Sequence, residues 1–130
     1  MSSSQKSIAV LGMGQFGYQL AISLTQKNFE VLALDSDPEM IDEVKELVSE
    51  AIIIDTTDEK AMRSINIDTV DIAIVAIGSN VQSSLLSTAL LQRLGLVDIH
   101  VRHINSLQEN ILKSIGIKHI ISIEKEMGIQ

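Results

Sequence analysis

The stretch "SIAVLGMGQFGYQL", residues 7–20, decides the fold. An apolar run ending at Leu11 meets three glycines, Gly12, Gly14 and Gly17, and an amphipathic pattern begins directly behind them. The spacing is G-x-G-x-x-G at a strand-to-helix junction. There the first glycine permits a tight turn and the second lets backbone N–H groups approach a phosphate. The third lets the helix pack closely on the sheet. The start of the helix adds unpaired donors and partial positive charge. A glycine turn with no ligand is the other reading of this stretch taken alone.

Outward from it, six short apolar runs alternate with helical patterns. The expected strands are 7–12, 30–35, 51–55, 71–78, 98–104 and 119–124. The first four are almost continuously apolar, which is the pattern of strands buried on both faces of a parallel sheet. The fifth alternates more, through His100, Arg102 and His103, and is expected nearer an edge. Asp37-Pro38 offers an N-cap followed by proline at the first helical position. Thr56 to Glu59 and Ser106 to Glu109 fit capping boxes. Gly95 and Gly116 fall where a helix end wants a left-handed residue. Right-handed crossovers then give an α/β, Rossmann-like, doubly wound parallel sheet of six strands, order 3-2-1-4-5-6.

Composition narrows the function. The 130 residues suit one compact domain, and 45% hydrophobic content is enough to fill its core. No apolar run is long enough to span a bilayer, so a soluble protein without membrane insertion is expected. A net charge of −7 and 2% aromatic content argue against a nucleic-acid surface. The chain has no cysteine, which removes disulfide and thiolate chemistry and agrees with a cytoplasmic location. Residues 1–6 are polar and expected as a disordered tail, with the domain covering 7–130.

In a doubly wound sheet, ligands bind beyond the carboxyl ends of the strands, where the strand order reverses. The expected ends carry Gly12-Met13-Gly14, Asp35, Asp55, Gly78-Ser79-Asn80, Arg102-His103 and Glu124. Asp35 stands eighteen residues after Gly17, the place of a ribose-binding carboxylate. It also disfavours a ribose carrying a 2′-phosphate. The nucleotide-binding set is therefore Gly12, Met13, Gly14, Gln15, Phe16 and Gly17 from the first loop, then Asp35 and Ser36, Asp55 and Thr56, Ala76, Ile77, Gly78 and Asn80, and Arg102.

Several of these residues have plainer readings. Thr56 would otherwise only start a helix, Ser79 or Asn80 would only cap one, and Arg102 would be a solvated edge residue. Glu124 is a candidate ligand for a divalent cation, although one carboxylate does not make a site. His100 and His103, three apart on a strand, point to opposite faces and should not share a metal. His119 reads as a surface residue at a strand start. G-x-S-x-G, H-E-x-x-H and the P-loop pattern are absent, and no nucleophile–base pair can be named.

The segments "GMGQFG", "LALDSDPEMI", "DTTDEKAM", "VAIGSNVQSSLLSTALL" and "LKSIGIKHIISIEKEMG" together resemble the N-terminal lobe of regulator-of-potassium-conductance domains. These are the RCK, KTN or TrkA-N domains of Trk/Ktr-type potassium transport systems. The resemblance runs from Ser7 to Gly128. It implies a non-enzymatic regulatory subunit that binds ATP, ADP, AMP or NAD(H), with Mg²⁺ or Ca²⁺ as a further ligand. Such a subunit would form homodimers within a ring, an octamer in full-length relatives, on the cytoplasmic face of a membrane potassium channel. By likeness the three glycines hold phosphates, Asp35 the ribose, and Asp55 and Thr56 lie near adenine. Arg102 lies near phosphate, and Glu124 helps bind a cation at a dimer interface. In several ATP-responsive members an arginine follows the second glycine. Here it is Gln15, which leaves AMP, ADP or NAD(H) open. The family's C-terminal lobe is expected to be missing from this chain by truncation. An NAD-dependent oxidoreductase fragment lacking its substrate domain is the alternative.

Overall fold

The computed structural model describes residues 5–123. Six parallel strands form one sheet in the order β3-β2-β1-β4-β5-β6. They are β1 (Ser7–Leu11), β2 (Glu30–Asp35), β3 (Glu50–Ile53), β4 (Ile72–Val75), β5 (Ile99–Arg102) and β6 (His119–Ile121). The helices are α1 (Gln15–Gln26), α2 (Pro38–Val44), α3 (Glu59–Ser64), α4 (Val81–Arg93) and α5 (Ser106–Ser114). A 3₁₀ turn, Ile67–Thr69, precedes β4. The strand order reverses between β1 and β4, as the sequence leads one to expect.

Successive residues of a strand point to opposite faces, and the chain fills both. From β1, Ala9 and Leu11 join Leu34, Met62, Leu91 and Leu112 in one apolar layer. Ile8 and Val10 join Val31, Ala21, Ile41 and Val44 in the other. Helices α1 and α2 therefore cover one face, and α3, α4 and α5 the other. This arrangement explains the near-continuous apolar reading of β1 and β4, which lie at the centre. The edge strand β3 is only partly buried.

The strand ends differ from the expected ranges. β4 stops at Val75 rather than Gly78, because only Ala76 keeps a ladder bond, its N–H donating to the Leu11 carbonyl at 2.8 Å. Beyond it the chain peels away into the cleft described below. β5 occupies Ile99–Arg102 rather than 98–104, and β3 begins one residue early and ends at Ile53. Glu124, the last residue of the expected sixth strand, lies outside the described residues, as do residues 1–4 of the expected tail. Gln5 and Lys6 are described: Gln5 Nε2 donates to the Asn28 carbonyl at 2.9 Å, and the Lys6 carbonyl accepts the Glu30 N–H at 2.9 Å.

Helix starts follow local chemistry, with two corrections. Asp37 caps α2 through the Glu39 N–H at 2.9 Å, with Pro38 in the first turn. The two expected capping boxes are not used. Asp58, not Thr56, caps α3 through the Ala61 N–H. Asn105, not Ser106, caps α5 through the Gln108 N–H. In each case an Asp or Asn beside the expected residue is an equally good acceptor, and the partner glutamate is engaged elsewhere. Glu59 pairs with Arg63 and Glu109 with Lys113. Gly95 and Gly116 follow α4 and α5 with φ of +101° and +91°, as expected for left-handed helix ends.

Candidate functional site: a cleft at the strand-order reversal

The carboxyl ends of β1, β2, β4 and β5, with the segment after β3, surround a cleft of about 570 Å³. That volume is in the range of small-molecule sites. Gly12 begins its floor. Its φ of +102° is the left-handed turn that glycine alone adopts at low cost. Its N–H donates to the Leu34 carbonyl at 2.8 Å, which ties the turn to β2. Gly14 then sits at the N-cap of α1 with no side-chain cap. A Cβ built on Gly14 would meet nothing within 4 Å, so the approach to the helix N-terminus is open. The first N–H groups of a helix have no intrahelical acceptor, and here they face a cleft rather than a capping side chain. Gly17 is placed differently: a Cβ there would collide with the Gly12 carbonyl oxygen. It is the close-packing glycine of the motif.

Asp35 ends β2 and is half-buried. Its Oδ2 accepts the Met13 N–H at 2.6 Å and its Oδ1 accepts the Asp37 N–H at 2.9 Å. The carboxylate thus joins the glycine loop to the start of α2. Each carboxylate oxygen can accept two hydrogen bonds, so both keep capacity for donors entering the cleft. Asp55 is exposed and oriented by Thr57, whose N–H and hydroxyl both donate to Oδ1, at 2.9 and 2.6 Å. The hydroxyl bond, then the backbone bond, holds the Asp55 carboxyl below its ordinary pKa.

Opposite the glycine loop stand Ala76, Ile77, Gly78, Ser79 and Asn80. Asn80 caps α4 through the Ser83 N–H at 2.9 Å while also lining the cleft. Arg102 is the one cation among the described lining residues. Its guanidinium lies 5.6 Å from the centroid of the Phe16 ring, within cation–π range. The same group lies against the open side of Gly78, where a methyl would displace it. Behind it, the fully buried Gln108 fixes the end of β5. Its Nε2 donates to the Arg102 carbonyl and to Ser84 Oγ, both at 3.0 Å, and its Oε1 accepts the Ile104 N–H at 2.7 Å.

Most of the expected residues come together here: Gly12, Gly14, Gln15, Asp35, Ser36, Asp55, Thr56, Ala76, Ile77, Gly78, Asn80 and Arg102 all line the cleft. Thr56 does so with its hydroxyl already paired to Ser87 Oγ at 2.7 Å. Met13, Phe16 and Gly17 are not in the lining. The Met13 side chain is buried in the core, Phe16 carries Arg102, and Gly17 packs on Gly12. Sequence reading missed Ile54, Thr57 and Ser83 in the lining, and Gln108 behind it. Asx-type spacing from Asp55 would have found Thr57, and helix phase from Asn80 would have found Ser83; nothing local marks Gln108. The candidate metal ligand Glu124 lies outside the described residues. His100 and His103 are separately partnered, with Asp98 at 2.8 Å and Glu109 at 3.1 Å.

Comparison with known proteins gives this geometry its context. Over 124 residues the chain is 37% identical to the Ktr system potassium uptake protein C of Bacillus subtilis (strain 168), covering 95% of this chain and 56% of that protein. It is 32% identical over 130 residues to the Ktr system potassium uptake protein A of Vibrio alginolyticus, covering 100% of this chain and 59% of that one. The chain thus spans less than two thirds of either relative.

Among solved structures, the NAD(P)-binding domain of an exopolyphosphatase-related protein from Archaeoglobus fulgidus superposes with a TM-score of 0.82 at 24% identity, covering 95% of this chain and 92% of that one. The GsuK channel bound to NAD gives 0.81 at 11% identity, over 98% and 23%. The AMP-bound C-terminal domain of Kef from Shewanella denitrificans gives 0.79 at 16%, over 94% and 74%. At these identities the superpositions show the shared Rossmann-like fold. The TrkA-N domain model matches residues 8–123, nearly the whole chain, and the chain belongs to the TrkA-N domain family.

Proposed function

We propose that this chain is the nucleotide-sensing domain of a potassium uptake system, binding an adenine nucleotide (ATP, ADP, AMP or NAD(H)) in the cleft as a signal rather than as a reagent. One observation carries the reading. The uncapped N-terminus of α1, the Asp35 carboxylate and the Arg102 guanidinium all line a single cleft. Phosphates would take the α1 N–H groups and the ribose hydroxyls would donate to Asp35. Arg102 would face the distal phosphate, and Asp55 and Thr56 would border the adenine. Structural neighbours solved with NAD and with AMP support the ligand class, and the Ktr relatives support the transport system.

Regulation then follows from linkage. A ligand shifts a conformational equilibrium only by its differential affinity for the two states. The state selected would be passed to a membrane potassium channel subunit by homodimers arranged in a ring at the inner face of the membrane. A thermal-shift panel of AMP, ADP, ATP, NAD and NADH, with and without Mg²⁺ or Ca²⁺, tests the proposal. A ligand that binds the folded state raises its apparent stability. A rise with at least one of these nucleotides is expected, and a flat response to all of them would contradict the reading.

A further inference from the structure

The amino-terminal ends of β5 and β6 hold a cluster of different chemistry from the cleft. His100 and His119 are direct partners in the parallel register of the two strands, so their side chains share a face. Their rings stack at 4.3 Å between centroids and 11° between planes. Asp98, just before β5, brings its Oδ1 to 2.8 Å from His100 Nε2. One ligand atom from each of the three side chains lies within 4.8 Å of the others. None of the three lines the nucleotide cleft.

We propose that Asp98, His100 and His119 form a binding site for a transition-metal dication of the Zn²⁺ class. The donor set is two imidazoles and one carboxylate, which suits zinc and its neighbours; magnesium and calcium take oxygen cages. Convergence on one metal requires the stack to open, because the lone pair of a ligating nitrogen lies in its ring plane and the two rings are only 11° from parallel. Bonds of about 2.0 Å in a tetrahedral site put ligand atoms about 3.3 Å apart. The Asp98–His100 contact opens by a few tenths of an ångström as the metal replaces the shared proton. The His119 nitrogen closes toward it by a side-chain rotation that its exposed position permits. The site is reachable: the His100 and Asp98 side chains are 30% and 46% exposed. A water fills the fourth position. Bound there, the metal fastens the three-residue strand β6 to β5, two residues behind Arg102 on the same strand face.

The site does not depend on nucleotide binding, so its test is independent of the function proposed above. The untagged chain is titrated with ZnCl₂ against a chromogenic chelator, beside His119→Gln, His100→Gln and His103→Gln, each verified as folded by circular dichroism. The proposal expects one equivalent of Zn²⁺ bound, at least tenfold weaker in His119→Gln and His100→Gln and unchanged in His103→Gln. It also expects the Zn²⁺ to remain bound in a large excess of Mg²⁺ or Ca²⁺. The absence of saturable binding would overturn it. So would undiminished affinity in His119→Gln, or a loss confined to His103→Gln, where His103 pairs with Glu109 instead.

Discussion

The Asp35 carboxylate accepts the Met13 backbone N–H at 2.6 Å, so the end of β2 holds the glycine loop at the end of β1 in place. With the second bond from the Asp37 N–H, Asp35 is a structural anchor as well as a proposed ribose contact. Asp35→Asn leaves the shape almost unchanged but removes the charge and replaces one acceptor with a donor. Hydrogen bonds to charged groups contribute about 1.5–3 kcal/mol, and we expect adenine-nucleotide affinity to fall by that amount. Calorimetry checks this, and unchanged affinity would remove Asp35 from the site. For the same electrostatic reason NADP should bind more weakly than NAD to the unsubstituted chain.

Gly14→Val isolates the proposed phosphate contact. The added side chain enters open space, and Gly14 has φ of −66°, so the fold should persist with a melting temperature close to that of the parent. The new methyl groups occupy the approach to the α1 N-terminus, and nucleotide binding should be lost. Retained affinity would place the phosphates elsewhere. Gly17→Ala should behave differently, because its methyl meets the Gly12 carbonyl oxygen and the loop itself must move. A large loss of stability there, beside none at Gly14, separates the two glycines' roles.

Gly78 and Arg102 form a testable pair. A methyl at Gly78 displaces the guanidinium, which is the end of a flexible side chain, so Gly78→Ala should cost little stability. It should still move Arg102 off the cleft wall. We expect Gly78→Ala and Arg102→Ala to weaken binding of ADP by similar factors, and the double variant to be little worse than either alone. Additive losses in a double-mutant cycle would show that the two act independently.

Asp55 contributes to the pH dependence of stability. Its carboxyl titrates below the ordinary 3.8 in the folded chain because the Thr57 hydroxyl and N–H bind the carboxylate. The folded state therefore holds fewer protons than the unfolded state in this window. The contribution is present above the unfolded value and is lost as pH falls through the folded one. Asp55 is exposed, so the effect is small. Thr57→Val should move the Asp55 titration midpoint upward, read by the carboxyl carbon shift in NMR; an unmoved midpoint would contradict the assigned cause.

What was legible in the sequence was what local spacing encodes. Gly12, Gly14, Gly17 and Asp35 lie within one β-α-β unit, and Asp37-Pro38 is a cap with its own chemistry. Those residues mark the glycine loop and its carboxylate partner, while the strand order follows from six alternating strands joined by right-handed crossovers. The caps of α3 and α5 were misplaced by one or two residues, since Asp58 and Asn105 compete with Thr56 and Ser106 on equal terms and only the path of the chain decides. Gln108 was invisible for a different reason. It reads as a polar helix residue, and its burial depends on three partners, at Arg102, Ile104 and Ser84, that packing brings together. The pairing of His100 with His119 is likewise a property of parallel register across nineteen residues, which no local pattern specifies.

The proposed function requires an adenine nucleotide to lie between the α1 N-terminus and Asp35. A titration of the ¹⁵N-labelled chain with ADP, followed by amide chemical shifts, reads the position of the ligand residue by residue. Saturable shifts are expected, largest at Gly14, Gln15, Phe16 and Gly17, with accompanying shifts at Ser36 and Gly78. An unchanged spectrum at saturating ADP, or shifts confined to residues away from the cleft, would contradict it.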